Sequence, residues 1–231
     1  MKKTNAKLNA RQADKKTAGA KLGAFLEKRG KILSIIFIVI SVGLLSYVIF
    51  SKVNENKVSK QLGELDAIKF ELVDNTTAPS DDEWIKKFDD AKQSLSAYTS
   101  KGGIVGVRAN LMYGDILSTL EQYNDAIEYY KAAANKNKKS YTYSLAYTRI
   151  AVCYEQLKDF SNAADAYKVA AEDKENRLKY HSMFNYARVL EQQGNIAAAM
   201  EAYQKLVDED PSNTYAMIAK TKLLANEIKS K

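Results

Sequence analysis

Three alanines, evenly placed in the C-terminal half, constrain this 231-residue chain more than any other feature. Ala126, Ala163 and Ala199 stand 37 and 36 residues apart. Each has a large residue three positions before it (Tyr123, Phe160, Ile196) and a tyrosine four positions after it (Tyr130, Tyr167, Tyr203). A small residue lies twelve positions before each (Gly114, Ala151, Ala187), with a bulkier one three further on (Leu117, Tyr154, Leu190). A fainter copy, Phe88 with Ala91 and Leu95, precedes the first by 35 residues. Antiparallel helices cross closely only where side chains are small. A lone helix pair cannot bury its apolar face, so such units must stack, at least three deep. Only two prolines and ten glycines interrupt the chain, which favours helix over sheet.

These positions resemble the tetratricopeptide repeat, a helix-turn-helix unit with small residues where its two helices approach. Ala133 and Ala170 fill the next small position, and Pro211 matches the proline that closes a repeat. The third copy carries Leu206 instead of that alanine, and the first two lack the proline. The resemblance covers about Val107 to Lys229, with the degenerate unit extending it towards Val58. It implies an all-α solenoid of three repeats, with Asn213–Lys229 (Tyr215, Ile218, Leu223, Leu224, Ile228) as the terminal helix covering the last exposed face.

By repeat position, the first helix of each pair would line a concave protein-binding groove with Arg108, Leu111, Asp115, Thr148, Val152, Glu155, His181, Phe184, Arg188 and Glu191. Leu111 and Asp115 stand where co-chaperones of the same superfamily need a Lys and an Asn to clamp a C-terminal carboxylate, so an acidic C-terminal peptide is not the expected ligand. Tyr130, Tyr154, Tyr167 and Tyr203 are accounted for by packing within repeats.

Upstream, Ile32 to Phe50 is a run of nineteen uncharged residues. Roughly 20 are needed to cross a hydrocarbon core as a helix. The run ends in Tyr47-Val-Ile-Phe-Ser-Lys52 with no small-x-small cleavage site, so an uncleaved transmembrane helix is expected. Ten basic residues precede it against two acidic ones, a charge of +8, while the other 25 basic and 26 acidic residues sum to −1. Positive charge stays on the cytoplasmic side, which places the N-terminus inside and the C-terminal domain across the membrane. The balanced remainder lacks the clustered positive field that nucleic acid requires. From Lys52 to Val73, Val58, Leu62, Leu65, Ile68 and Leu72 mark one helical face. Asp74 to Asp82, with Pro79, breaks that helix and offers Ser80 or Asp81 as the next N-cap. A helix over Trp84–Tyr98 follows, ended by the glycines between Lys101 and Gly106.

Catalytic motifs are missing: no Walker loop, dinucleotide fingerprint or zinc-protease sequence occurs. Lone His181 would have to serve any triad, and lone Cys153, beside Val152 and Tyr154, reads as a buried, inert thiol. No enzyme activity, cofactor or metal is expected, and Lys136, Lys138 and Lys139 read as a solvated loop.

The juncture Phe25-Leu-Glu-Lys-Arg-Gly30-Lys31, followed at once by the apolar run, resembles a bacterial family of single-span, tetratricopeptide-like ancillary subunits of the Sec translocon. That resemblance implies partners in the Sec channel, a membrane-tethered periplasmic folding factor and newly translocated clients. It also implies the bacterial inner membrane as location, with a periplasmic repeat domain. Two other classes share the architecture: a scaffold or adaptor for a cell-envelope assembly or division complex, and an organellar import receptor with a cytosolic repeat domain. The organisation expected is a basic cytoplasmic segment (1–31), a lipid-embedded helix (32–50), linker helices with the degenerate repeat (51–106), and three repeats with a capping helix (107–231).

Overall fold

The computed structural model describes residues 2–73 and 81–229, and the described residues form helices α1 to α9 with no strand. They divide into two compact units, Met1–Ser59 and Lys60–Lys231. The first consists of the leading part of α1 (Lys2–Val73). Its apolar side chains from Ile35 to Phe50 are exposed, and by length and composition the helix can cross a membrane. Ser34 inside the apolar run donates its hydroxyl to the Gly30 carbonyl at 2.8 Å, and Arg29 lies over the Phe25 ring at 5.9 Å.

The second unit is a stack of helical hairpins. It opens with the end of α1, where Leu62, Leu65, Ile68 and Leu72 are the apolar residues turned inward, as their spacing predicts. Tyr98 of α2 (Asp81–Thr99) donates to Glu64 at 2.6 Å and ties α2 to α1. Most of the break expected from Asp74 to Asp82, including Pro79 and the cap at Ser80, lies outside the described residues. Three hairpins follow: α3 (Gly103–Thr119) with α4 (Tyr123–Lys136), α5 (Tyr141–Gln156) with α6 (Phe160–Glu172), and α7 (Lys179–Gln192) with α8 (Ile196–Glu209). α9 (Thr214–Lys229) closes the order. The glycine linker is shorter than expected, because Gly106 lies inside α3 and packs too tightly against the Lys101 carbonyl to admit a Cβ. Asn110, buried in α3, donates to the carbonyls of Thr99 (2.7 Å) and Gly106 (2.6 Å), which joins α2 to α3.

The three hairpins turn in the same way. After each first (A) helix the backbone enters the left-handed region at Glu121 (φ 58), Lys158 (φ 59) and Gly194 (φ 85). The next N–H then reaches back five residues, from Gln122 to Leu117, Asp159 to Tyr154 and Asn195 to Leu190, at 2.9–3.0 Å. This closes the free carbonyls of the A helix. Asp159 and Asn195 also cap the second (B) helices, accepting from the N–H of Asn162 and Ala198.

The core sits where the repeat spacing places it. Ala126, Ala163, Ala199, Ala151 and Ala187 are fully buried, and Tyr130, Tyr167 and Tyr203 nearly so. In the degenerate unit Ala91 and Leu95 are buried in the matching way. Gly114 is required rather than merely tolerated, because a Cβ there would stand 2.6 Å from Cε1 of Tyr130. Successive A helices touch (α3 with α5, α7 with α9), so they form the inner side of the stack.

Candidate functional site

The inner face is built by the A helices, and a ladder of ion pairs runs across it, one rung per step. Arg108 of α3 pairs with Asp66 of α1, and Arg149 of α5 with Asp115 of α3. Arg188 of α7 meets Glu155 of α5 at 2.8 Å, and Lys222 of α9 meets Glu191 of α7 at 3.0 Å. Each acid of the three hairpins is also held from behind by the repeat tyrosine. Tyr130 donates to Asp115 and Tyr167 to Glu155, both at 2.7 Å, and Tyr203 to Glu191 at 3.2 Å. Burial and the adjoining carboxylate push all three phenols well above the ordinary tyrosine range, so they remain neutral donors. The Glu155 hydrogen bond holds the Arg188 guanidinium even more firmly protonated than usual.

Five of the ten groove candidates (Arg108, Asp115, Glu155, Arg188, Glu191) are thus committed to joining hairpins. Leu111 is buried in the core cluster. Thr148 turns its hydroxyl back to the Ser144 carbonyl at 2.9 Å, and Val152 beside it is 41% exposed. Phe184 packs between Tyr203 and Tyr215, with centroids at 5.6 and 5.8 Å. His181 is edge-on to Tyr215 at 5.4 Å, and its Nε2 lies 2.9 Å from Asn185 Nδ2. Its Nδ1 is buried without a partner, and burial together with Arg188 lowers the imidazole pKa.

A cleft of about 460 Å³ lies between the end of α1, α2, α3 and α5. Leu72, Leu111, Met112 and Leu145 give it apolar walls, and since Arg108 is paired with Asp66 and Arg149 with Asp115, its excess positive charge is that of Lys69. A larger hollow of about 720 Å³ opens between α6, α7 and α8, but its four lysines are matched by four acids and it lies away from the ladder.

Lys69, Met112, Leu145, Arg149 and Lys222 were not anticipated from sequence, and Tyr215 was anticipated only as part of the terminal helix covering the last face. Asp115 lies one helical turn nearer the N-terminus of its helix than Glu155 and Glu191 do relative to the anchoring alanines, and Arg149 lies one turn before Arg188. Alignment on the alanines therefore does not bring the rungs together. The visible signal is that a cation occurs in every A helix.

Cys153 is buried, 3.9 Å from the Ser118 hydroxyl, and burial raises its pKa. Lys136 is not part of a solvated loop: it ends α4 and donates to the Lys101 carbonyl at 2.9 Å. Among the described residues no group of three or more His, Cys, Asp or Glu is placed to hold a metal ion.

Residues 111–177 and 170–214 match the tetratricopeptide repeat family model. A TPR repeat-containing protein of Treponema pallidum (strain Nichols) is 26% identical over 133 residues, 58% of this chain. The chain spans 56% of that relative's length. Among solved structures, the nearly identical TPR-like repeats of a Podosopora anserina candidate kinesin light chain overlay with a TM-score of 0.55 at 9% identity, covering 71% of this chain and 84% of theirs. A Rap protein complexed with Competence and Sporulation Factor gives 0.51 at 17% identity, over 71% of this chain and 46% of its own. At these identities the structural likeness is one of fold.

Proposed function

Since residues 111–214 are tetratricopeptide repeats by family match and by their stacked hairpins, we propose that this chain is a membrane-anchored protein-binding module. Residues 32–50 hold it in the bilayer, and the inner face of the stack takes a segment of another protein. The observation that carries the reading is the open cleft between α1, α2, α3 and α5, apolar in its walls and with the excess positive charge of Lys69 in its lining. A partner segment with apolar anchors and a carboxylate complements it. The ladder gives that cleft a rigid frame, because every A helix is pinned to the next. A Rap protein of the same fold is complexed with Competence and Sporulation Factor, which accords with a binding role. The module needs no catalytic residue, cofactor or metal.

The finer reading is an ancillary subunit of the Sec translocon at the bacterial inner membrane, N-terminus cytoplasmic and repeats periplasmic. Its partners are the channel, a membrane-tethered periplasmic folding factor and translocated clients. Support comes from the basic segment with Phe25, Gly30 and Lys31 ahead of the apolar run, and from the +8 charge on that side alone.

Photoreactive residues introduced at Leu145 and Val152, with labelling of a cysteine at position 231, test both levels. Many translocated proteins captured at Leu145 would support the translocon role. Capture of one constant partner would indicate a scaffold, and a cytosolic position 231 would overturn the orientation in favour of an import receptor. No partner at either residue would refute binding by the inner face.

A further inference from the structure

The chain has one histidine, and the hydrogen bonds around it leave that ring a single state. Asn185, one turn further along α7, is held at both ends of its amide. Its Oδ1 accepts from Arg188 Nε at 3.0 Å, and its Nδ2 donates to the His181 carbonyl at 2.9 Å. A guanidinium only donates and a carbonyl only accepts, so the amide cannot be turned round. Its Nδ2 also faces His181 Nε2 at 2.9 Å, and that nitrogen must therefore be the acceptor. The ring proton is then on Nδ1, which is buried without a partner. A second proton has no place. At Nε2 it would point at the Asn185 N–H, and turning the amide to receive it would set N–H against the guanidinium and oxygen against the His181 carbonyl.

We propose that His181 is a proton-operated latch on the seam between α7 and α9, and that protonation of its ring releases α9 from the third hairpin. α9 packs chiefly on α8 and α7, covering the last face of that hairpin as the sequence suggested. Its Tyr215 meets the His181 ring edge-on at 5.4 Å and closes on Phe184 at 5.8 Å. An imidazolium needs acceptors for both N–H groups, and it reaches water only by leaving the Asn185 amide and the Tyr215 ring. α9 is the helix that can yield, because among the described residues it buries Ala216 and Ala219 alone, against six residues each in α5 and α6. The surrounding charges oppose the proton. Arg188 of α7 acts on the ring, and with burial it lowers the imidazole pKa. No carboxylate offsets it: Glu155 of α5 is taken up by Arg188 and Tyr167, and Glu191 of α7 by Lys222 of α9 and Tyr203 of α8. The closed seam thus binds the proton less readily than the open one, where the ring titrates near its ordinary value of about 6.5. Below that value acid favours opening, by up to about tenfold per pH unit.

A single histidine makes the test direct. With isotope-labelled histidine in the full chain in detergent, NMR reads the tautomer, and the neutral ring should carry its proton on Nδ1. Amide hydrogen exchange, corrected for the intrinsic rate, should be faster in α9 than in α5 and α6, as a local opening requires. Protection of α9 should fall by about three- to tenfold for each pH unit just below about 6.5. His181→Gln should hold it constant over that range. Asn185→Asp supplies a carboxylate that accepts from the guanidinium and from a protonated ring alike, so the ring's titration should rise by more than about one unit and the acid loss should vanish. The tautomer and the His181→Gln comparison decide the matter even if Asn185→Asp fails to fold. A neutral ring protonated at Nε2, α9 protection that is insensitive to acid or falls equally in His181→Gln, or α9 exchange no faster than that of α5 and α6 would each overturn the latch, as would a titration that Asn185→Asp leaves in place.

Discussion

Glu155→Gln isolates what a single rung contributes to joining two hairpins. The Glu155 carboxylate accepts from Tyr167 Oη at 2.7 Å, and from Arg188 Nη2 on one oxygen and Nη1 on the other, both at 2.8 Å. The two side chains are only 16% and 29% exposed, so water replaces these bonds incompletely. A hydrogen bond to a charged group contributes about 1.5–3 kcal/mol where it is shielded, against about 0–1 kcal/mol for an exposed pair. Glutamine keeps one acceptor oxygen but turns an amide N–H towards a guanidinium N–H, so the two-pronged contact is lost and the tyrosine bond loses its charge. For this intermediate burial the expected loss is about 2 kcal/mol, a fall in melting temperature of about 4–8 °C. Urea unfolding followed by far-UV circular dichroism measures it. Arg188→Gln should cost a similar amount, and the double variant should cost less than the sum by about 1–2 kcal/mol. A coupling energy below about 0.5 kcal/mol would refute the ladder as a joint between hairpins and reduce it to a surface ion pair.

Lys158→Gly should stabilise the stack by about 0.5–1 kcal/mol, since a left-handed backbone costs an L-residue about 1–2 kcal/mol and glycine returns part of that as lost chain entropy. A higher urea midpoint at unchanged m checks it, and Gly194→Ala at φ 85 should move the midpoint the other way. His181 has its pKa lowered in the fold by burial and by Arg188, so the unfolded chain binds the proton more readily. Its contribution is therefore present above the unfolded value of about 6.5 and lost as pH falls below it, and His181→Gln should flatten the rise in stability with pH in the range just below that value. Cys153 should react with a thiol reagent no faster than global unfolding allows, because the thiol is buried and its pKa raised; rapid labelling of native protein would contradict that placement.

The sequence by itself determined the helical stack and its pitch. Small residues are needed wherever helices cross, so Gly114, Ala126, Ala151, Ala163, Ala187 and Ala199 mark the crossings in one dimension as plainly as in three. The inward face of the last part of α1 was equally legible, because Leu62, Leu65, Ile68 and Leu72 recur at the spacing of one helical side. Of the ten candidate groove residues, sequence placed the A helices correctly but could not separate those open to a partner, such as Val152, from those spent on the frame, such as Arg188. That distinction depends on which cation reaches which carboxylate across a step. Asp115 and Arg149 are displaced by a turn from their counterparts and still meet, because side-chain reach spans the shift. Only the tertiary structure decided which methionine is buried: Met183 packs with Tyr203 and Leu206 of α8 and is 7% exposed, whereas Met217 of α9 is 52% exposed. Burial is a property of neighbours, and a neighbour's presence is not written in the residue it covers.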